Sequence, residues 1–113
     1  MHEMALIESV VEIAQEEALK HGARRIVRLR LNIGELSSAE PDALTFCFDA
    51  VTQGTIAQGA ELEICRVPGR GWCLNCATDI AMSQRFGTCP TCGSQQIQVI
   101  GGDDLKIKDM EVN

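Results

Sequence analysis

The stretch 72–94 reads WCLNCATDIAMSQRFGTCPTCGS and holds four of the six cysteines in this chain of 113 residues. Cys73 and Cys76 form one C-x2-C motif, Cys89 and Cys92 form a second, and twelve residues lie between the two motifs. Two such knuckles can place four thiolates tetrahedrally around one Zn²⁺ at about 2.3 Å, while the residues between them make a short hairpin. With four protein ligands the ion has no open position, so the spacing predicts a structural site.

Two alternatives to zinc fit part of this pattern. Iron in a rubredoxin-like site has the same geometry of four sulfurs, and absorbance separates red ferric thiolate from colourless zinc thiolate. A redox dithiol of the thioredoxin type needs only one C-x2-C at a helix start, whereas this chain has a matched pair. The other two cysteines, Cys47 and Cys65, are not in ligand spacing, and we interpret them as small buried apolar side chains.

On both sides of the cysteine stretch the sequence changes to regular apolar patterns. AELEICRV at 60–67 alternates as a half-buried strand does, and LKIKDMEV resumes the alternation near the C-terminus. Because a lone terminal strand cannot bury its own apolar face, we expect 103–113 to return and pair with strands at 24–33 and 60–67. The prediction is a discontinuous α/β domain, 1–67 and 103–113, with 68–102 inserted as a zinc-binding domain that its metal stabilises.

Two segments of the α/β domain have the spacing of amphipathic helices. The first covers 3–20 and is closed by Gly22, and the second begins near 38–41 and ends at Gly54. Between them RRIVRLRLNIG alternates, and the residues predicted to face inward are Val27, Leu29, Leu31 and Ile33. The predicted fold class is α+β: a small antiparallel or mixed three-stranded sheet with two helices, plus an inserted zinc-ribbon-like module.

Charges on the outward faces of the strands suggest their order. The outward pairs are Arg28 and Arg30, Glu61 and Glu63, and Lys106 and Lys108. A central glutamate strand would give favourable cross-strand pairs on both sides, so we predict that 60–67 lies in the middle of the sheet. Met110 and Val112 fall out of phase with Leu105 and Ile107, which predicts a bulge near Asp109.

The charge distribution excludes several classes of function. The net charge is −6, divided as −5 in 1–67, +1 in 68–102 and −2 in 103–113, so the basic footprint of a nucleic-acid-binding protein is missing. No apolar run approaches the eighteen or so residues of a membrane span, and no leader pattern precedes the first helix, so we expect a cytoplasmic protein without membrane contact. The motifs that mark common nucleophilic or phosphate-binding enzymes are also missing, so we do not expect an enzyme.

The N-terminus reads MHE, with one of only two histidines at residue 2. The terminal amine of Met1, the backbone nitrogen of His2 and the His2 imidazole can close fused chelate rings around one metal ion. Nitrogen donors in a plane suit Ni(II) or Cu(II), which gain most from tetragonal geometry. From these residues alone, a histidine without a role remains an open alternative.

Several segments together resemble the HypA/HybF family, whose members insert nickel into NiFe hydrogenases. The segments are MHEMAL, NIGELS, AQGAELEI, WCLNC, CPTCG and GGDDLKIKDMEVN, and they span the whole chain. The resemblance implies a nickel site at His2 with the Met1 amine and Glu3 nearby, in the domain 1–67 and 103–113. It also implies structural Zn²⁺ at the four cysteines of the knuckles. Glu40 is a further acidic residue whose place near the nickel the sequence does not fix.

The function implied by the resemblance is that of a nickel metallochaperone. Such a protein delivers Ni²⁺ to the large subunit of NiFe hydrogenase, with a HypB-type GTPase and the large-subunit precursor as partners, and we expect a monomer or a weak homodimer. Delivery to urease is a variant of the same role. The alternative is a zinc-ribbon adaptor that only docks two proteins, with no metal-delivery role and with His2 incidental.

Overall fold

The computed structural model describes residues 3–113, and Met1 and His2 lie outside the described residues. Two helices and six strands are present in the described part of the chain. In chain order they are α1 (Glu3–Lys20), β1 (Ile26–Gly34), α2 (Pro41–Val51), β2 (Glu61–Val67), β3 (Gly69–Cys73), β4 (Thr78–Met82), β5 (Ile97–Gly101) and β6 (Leu105–Val112). The strands form two separate three-stranded sheets, which confirms the predicted α+β class.

The chain divides into two compact units. The first contains the chain up to Leu31, then Ala39–Cys65 and Lys106–Asn113, and the second contains Asn32–Ser38 and Arg66–Leu105. None of the helices described for residues 3–113 combines the length and the apolar character that crossing a bilayer requires.

Both predicted helices of the first unit are confirmed. α1 ends before Gly22, whose φ of 72° is the left-handed conformation that terminates helices. Pro41 occupies the first turn of α2, and Glu40 caps that helix by accepting a hydrogen bond from the backbone N–H of Asp42. The buried positions of the two helices are Ile7, Val10, Val11, Ala14 and Ala18, then Leu44, Cys47 and Phe48.

The first sheet has the order β2-β1-β6, with the arginine strand in the centre. The prediction of a central glutamate strand is therefore wrong. The side chains that Arg28 and Arg30 contact are Glu61 and Glu63 on β2, at 2.8 and 2.7 Å, and Glu111 and Asp109 on β6, at 2.7 and 2.8 Å. The prediction paired the lysines of β6 with the glutamates of β2. In the structure, the acidic residues of β6 contact the arginines of the central strand instead.

A change of phase in β6 explains that error. Ile107 and Met110 are both half-buried, whereas Lys108 and Asp109 between them are both exposed. The change of phase that the sequence predicted near Asp109 is thus present in the burial pattern. Beyond it, Asp109 and Glu111 point to the same face as the arginines of β1.

β1 changes phase as well, near its N-terminal end. Ile26 is buried and Val27 is 46% exposed, so the prediction that Val27 faces inward is wrong, although alternation holds from Leu29 onward. Backbone hydrogen bonds join Arg25 with Asn113 at one end of the β1–β6 pair and Gly34 with Asp104 at the other. Both strands span the same number of residues between these bonds, so the two phase changes compensate and the register is kept.

The second unit contains the antiparallel sheet β4-β3-β5. The predicted hairpin between the two cysteine motifs is wrong. That segment contributes a single strand, β4, which pairs back with β3 across the first motif, while β5 follows the second motif and covers the other side of β3. The core of this unit contains Leu36, Cys73, Ile80, Met82 and Cys89.

Candidate metal centre

The four cysteines of the two knuckles converge on one point. Their Sγ atoms all lie within 4.8 Å of one another. The distance from Cys73 Sγ to Cys92 Sγ is 3.5 Å, and that from Cys76 Sγ to Cys89 Sγ is 3.7 Å. Four sulfurs at about 2.3 Å from a central Zn²⁺ are about 3.8 Å apart in a regular tetrahedron. The cluster therefore fits a structural zinc site, as the sequence predicted.

The two knuckles have the same backbone conformation. In the first, the N–H of Ala77 donates to the carbonyl of Cys73 at 2.8 Å, and in the second, the N–H of Gly93 donates to the carbonyl of Cys89 at 2.8 Å. Ala77 has a φ of 54° and Gly93 a φ of 75°, so each turn closes through a left-handed residue just after its second cysteine. The pseudo-symmetry of the turns presents two pairs of sulfurs to a common centre.

Backbone amides stabilise the buried sulfur of each knuckle. The N–H of Cys76 lies 3.5 Å from Cys73 Sγ, and the N–H of Thr91 lies 3.4 Å from Cys89 Sγ. Both of these sulfurs are buried, at the inner side of the cluster. Hydrogen bonds to sulfur favour the thiolate, which is the form that binds a metal.

Side chains outside the C-x2-C cysteines also tune the cluster. Asn75 and the backbone of Ser94 both hydrogen-bond Cys92, and they lower the pKa of its thiol to about 6, with Asn75 making the larger contribution. Backbone hydrogen bonds from Cys92 and Thr91 lower the pKa of Cys89. Sequence reasoning missed Asn75, and the only available signal was an amide-bearing residue between two predicted ligands.

The pKa of Cys76, in contrast, is raised. Its hydrogen bond with Thr78, at 3.0 Å, lowers the pKa, but the hydrogen bond with Cys73, desolvation and the other cysteines outweigh it and raise the pKa to about 11. Four neighbouring thiols cannot all ionise easily without a cation, because each thiolate disfavours the next. A divalent metal would remove this conflict.

Of the three residues predicted to hold nickel, only Glu3 is among the described residues. Met1 and His2, which carry the amine and the imidazole, lie outside them. Glu3 is the first residue of α1, and its carboxylate accepts a hydrogen bond of 3.4 Å from the backbone N–H of Glu40, the residue that caps α2. The structure thus brings Glu3 and Glu40 together at the adjacent starts of the two helices.

The other two cysteines form no metal cluster within residues 3–113. Cys47 is buried on the inner face of α2, as predicted, and Cys65 on β2 is half-buried. Neither adds a ligand to the four-sulfur cluster.

Comparison with known proteins gives matches over nearly the whole chain. A family model described as "HypA: Hydrogenase/urease nickel incorporation, metallochaperone, hypA" matches residues 1–112. The hydrogenase maturation factor HypA of Rhizobium leguminosarum bv. viciae is 54% identical over 112 residues, which cover 99% of each chain. That of Dechloromonas aromatica (strain RCB) is 50% identical, again over 112 residues and 99% of each chain.

A solved structure has the same fold. The solution structure of the Ni metallochaperone HypA from Helicobacter pylori matches with a TM-score of 0.72 at 21% identity, covering 97% of this chain and 96% of that chain.

Proposed function

Because this chain belongs to the HypA family of nickel metallochaperones in hydrogenase maturation, we propose that it carries Ni²⁺ at its N-terminus and delivers it to the large-subunit precursor of NiFe hydrogenase. The observation that supports this most directly is the family match over residues 1–112, which includes the MHE terminus. A HypB-type GTPase is the second partner we propose, as the protein that times the transfer. A carrier of this kind is not an enzyme, and it works in the cytoplasm.

The two metals have separate places in this proposal. Cys73, Cys76, Cys89 and Cys92 hold Zn²⁺, and the bound ion supplies a fixed four-sulfur crosslink that stabilises the inserted domain 68–102. The cluster geometry supports this, since two of its sulfur–sulfur distances are 3.5 and 3.7 Å. With four sulfur ligands the zinc is closed to substrate, so its role is structural.

Nickel is the cargo, and its site belongs to the domain 1–67 and 103–113. The Met1 amine, the His2 backbone nitrogen and the His2 imidazole bind Ni²⁺, with Glu3 beside them. The contact between Glu3 and Glu40 supports an acidic environment at this end of α1, which favours a divalent cation. Softer thiolate ligands on the acceptor would then draw the ion away by ligand exchange.

The test is a Ni²⁺ titration of zinc-loaded protein with its native N-terminus, beside the same protein extended by one glycine before Met1. We expect about one Ni²⁺ per chain for the native form and loss of binding for the extended form, because the extension displaces the amine from its chelate ring. His2→Ala should abolish binding, and His21→Ala, the only other histidine, is the matched control that should leave it unchanged. Equal binding by the native and extended forms would refute the site.

The zinc-ribbon adaptor is not favoured by the family match. If the protein were only an adaptor, cells carrying His2→Ala should still mature hydrogenase, whereas cells in which the four cysteines are substituted should not. The same pair of variants therefore distinguishes delivery from docking.

A further inference from the structure

The loop 83–88, which follows β4, holds the most exposed large apolar side chain in the described part of the chain. This is Phe86, which is 87% exposed. Two cavities flank it, one of about 550 Å³ and one of about 240 Å³. We call the larger cavity the β5 groove, because one wall is the loop and the other contains Ile97 and Val99 of β5. An exposed aromatic side chain beside a groove is typical of a binding surface.

β5 has an open edge beside this groove. The order β4-β3-β5 places it outermost in its sheet, so no strand within residues 3–113 covers its second edge. Such an edge can accept an extended peptide as an additional strand. We propose that the β5 groove binds an extended segment of another protein, which pairs with β5 and presents apolar side chains and a single carboxylate to the groove.

The backbone of β5 presents hydrogen-bonding groups at this edge. In the antiparallel β3–β5 pair, the N–H of Leu74 donates to the carbonyl of Gln96 at 2.9 Å. Groups that face the neighbouring strand alternate, so Gln98 also faces β3, whereas Ile97 and Val99 face the open edge. The N–H of Ile97 donates within its own segment at 3.0 Å. The carbonyl of Ile97 and both backbone groups of Val99 therefore point toward an added strand.

The walls of the groove suit the side chains of such a strand. Ile97 and Val99 are half-buried and pack against the core of the second unit. Because successive side chains of a strand point to opposite faces, every second residue of the added strand would face the loop 83–88. An apolar side chain at such a position would lie between Phe86 and the two β5 residues, and the contact would remove apolar surface from water.

The charge at the groove indicates which peptide it selects. Arg85 lines the groove and is the only charged residue in 80–102. Arg70 of the same unit pairs with Asp79, whereas Arg85 is exposed and has no ion pair with any described residue. A guanidinium beside an apolar surface favours a carboxylate, which it can hold through two parallel hydrogen bonds.

The metal cluster limits this attraction to one carboxylate. Four thiolates around one Zn²⁺ carry two excess negative charges. Cys89 of the cluster directly follows Thr88, which lines the groove. A segment with several acidic side chains would therefore be repelled by the cluster while Arg85 neutralises only one of them. The preferred segment is apolar with one acidic residue.

Fluorescence anisotropy of labelled synthetic peptides, titrated with zinc-loaded full chain from about 1 µM to about 1 mM, tests the proposal. The first probe has about eight residues, in which valine and serine alternate and one central valine is replaced by glutamate. A matched probe has glutamine at that position, and a third has glutamate in place of every valine. The one-glutamate probe should bind about three- to tenfold more tightly than the glutamine probe, and the third probe should bind more weakly than the first.

Two substitutions with matched controls locate the binding. Arg85→Gln should make the first two probes bind equally, whereas Arg24→Gln, at an exposed arginine of the first unit, should preserve their difference. Phe86→Ala should weaken both probes by about fivefold or more. Phe46→Ala is its control, because Phe46 is a 79% exposed phenylalanine on α2, and it should change neither affinity. All four side chains are exposed, so the fold should survive each substitution.

Methylation of peptide nitrogens distinguishes strand pairing from loose apolar contact. Only alternate N–H groups of an added strand face its partner. Methylation of one alternate set of nitrogens in the first probe should therefore abolish binding, and methylation of the other set should leave it unchanged. On addition of the unmodified probe, amide NMR shifts should concentrate on 85–88 and 97–99.

The proposal concerns the second unit alone and does not depend on the nickel site. Nickel titration of Phe86→Ala should therefore match that of the parent protein, whatever the outcome for the peptides. Four results would overturn the proposal: no binding of any probe, equal binding of the glutamate and glutamine probes, equal effects of the two methylation patterns, or shifts confined to the first unit.

Discussion

The pseudo-symmetry of the two knuckles predicts opposite effects for two exchanges between alanine and glycine. Ala77 and Gly93 occupy equivalent left-handed positions, with φ values of 54° and 75°. A residue with a Cβ in this conformation is strained by roughly 1–2 kcal/mol, while glycine loses about 0.5–1 kcal/mol more conformational entropy on folding. Ala77→Gly should therefore stabilise the zinc-loaded protein by about 0.5–1 kcal/mol, and Gly93→Ala should destabilise it by a similar amount.

The space around Gly93 makes this a test of the backbone alone. A Cβ built on Gly93 meets no atom within 4 Å, so the substitution introduces no clash. Gly87 is the matched control: its Cβ would also meet no atom within 4 Å, but its φ is not positive. Gly87→Ala should stabilise by about 0.4–1 kcal/mol, because it reduces only the entropy of the unfolded chain.

The assay is urea unfolding at one fixed concentration of free zinc, since zinc release is coupled to unfolding of the second unit. The free energies of unfolding should rank Ala77→Gly above the parent protein and Gly93→Ala below it. If Gly93→Ala is as stable as Gly87→Ala, a Cβ in the left-handed conformation of these turns does not strain the backbone. A loss of stability for Ala77→Gly would refute the equivalence of the two knuckles.

Four further predictions concern the second unit and the first sheet. Gly71→Ala should destabilise the protein by about 1–3 kcal/mol in the same urea assay, because a Cβ there would overlap the side chains that pack over β3. Leu36→Ala should destabilise it by about 2–5 kcal/mol, since this buried leucine packs in the core with two of the cysteines; a change below about 1 kcal/mol would contradict that packing. In zinc-free protein at pH 7, iodoacetamide should alkylate Cys92 before Cys76, because the pKa of Cys92 is about 6 and that of Cys76 is about 11. Mass spectrometry of early time points shows which cysteine is alkylated first. The arginines of β1 hold the pKa of Glu111 below its ordinary 4.5. The ion pairs of Glu111 therefore stabilise the protein fully above about pH 4.5, and this stabilisation is lost as the pH falls through the lowered pKa. Glu111→Gln should reduce the difference in the free energy of unfolding between pH 7 and pH 3, and an unchanged difference would contradict the ion pairs.

Local patterns in the sequence predicted most of the elements and the metal cluster. The helical spacing gave α1 and α2, with Gly22 and Pro41 at their ends. The two C-x2-C motifs gave the four converging sulfurs, because cysteine spacing constrains the turn in which the ligands lie. In each case the residues that determine the feature are close in the chain.

The strand order failed because it depends on relations between distant strands. The prediction used the lysines of β6, whereas a change of phase brings Asp109 and Glu111 to the arginines. The strand β4 between the knuckles was missed for a different reason: it pairs with β3, which ends at Cys73, so the hairpin closes around the first cysteine motif and does not lie between the two motifs. Charge patterns restrict the possible sheets, but the phase of each strand decides which charges meet.

The second unit also depends on residues far from its cysteines in the sequence. Leu36 lies in its core, the N–H of Leu36 donates to the carbonyl of Gly102, and the N–H of Glu35 donates to that of Val67, both at 2.8 Å. These contacts explain why Asn32–Ser38 groups with Arg66–Leu105, although the predicted domain 68–102 leaves that segment out. Because four sulfurs and a metal fix only one end of so small a sheet, apolar side chains must close the rest of its core. The end of β1 therefore leads directly into a segment that completes this core, so the zinc module is built from two separate parts of the chain.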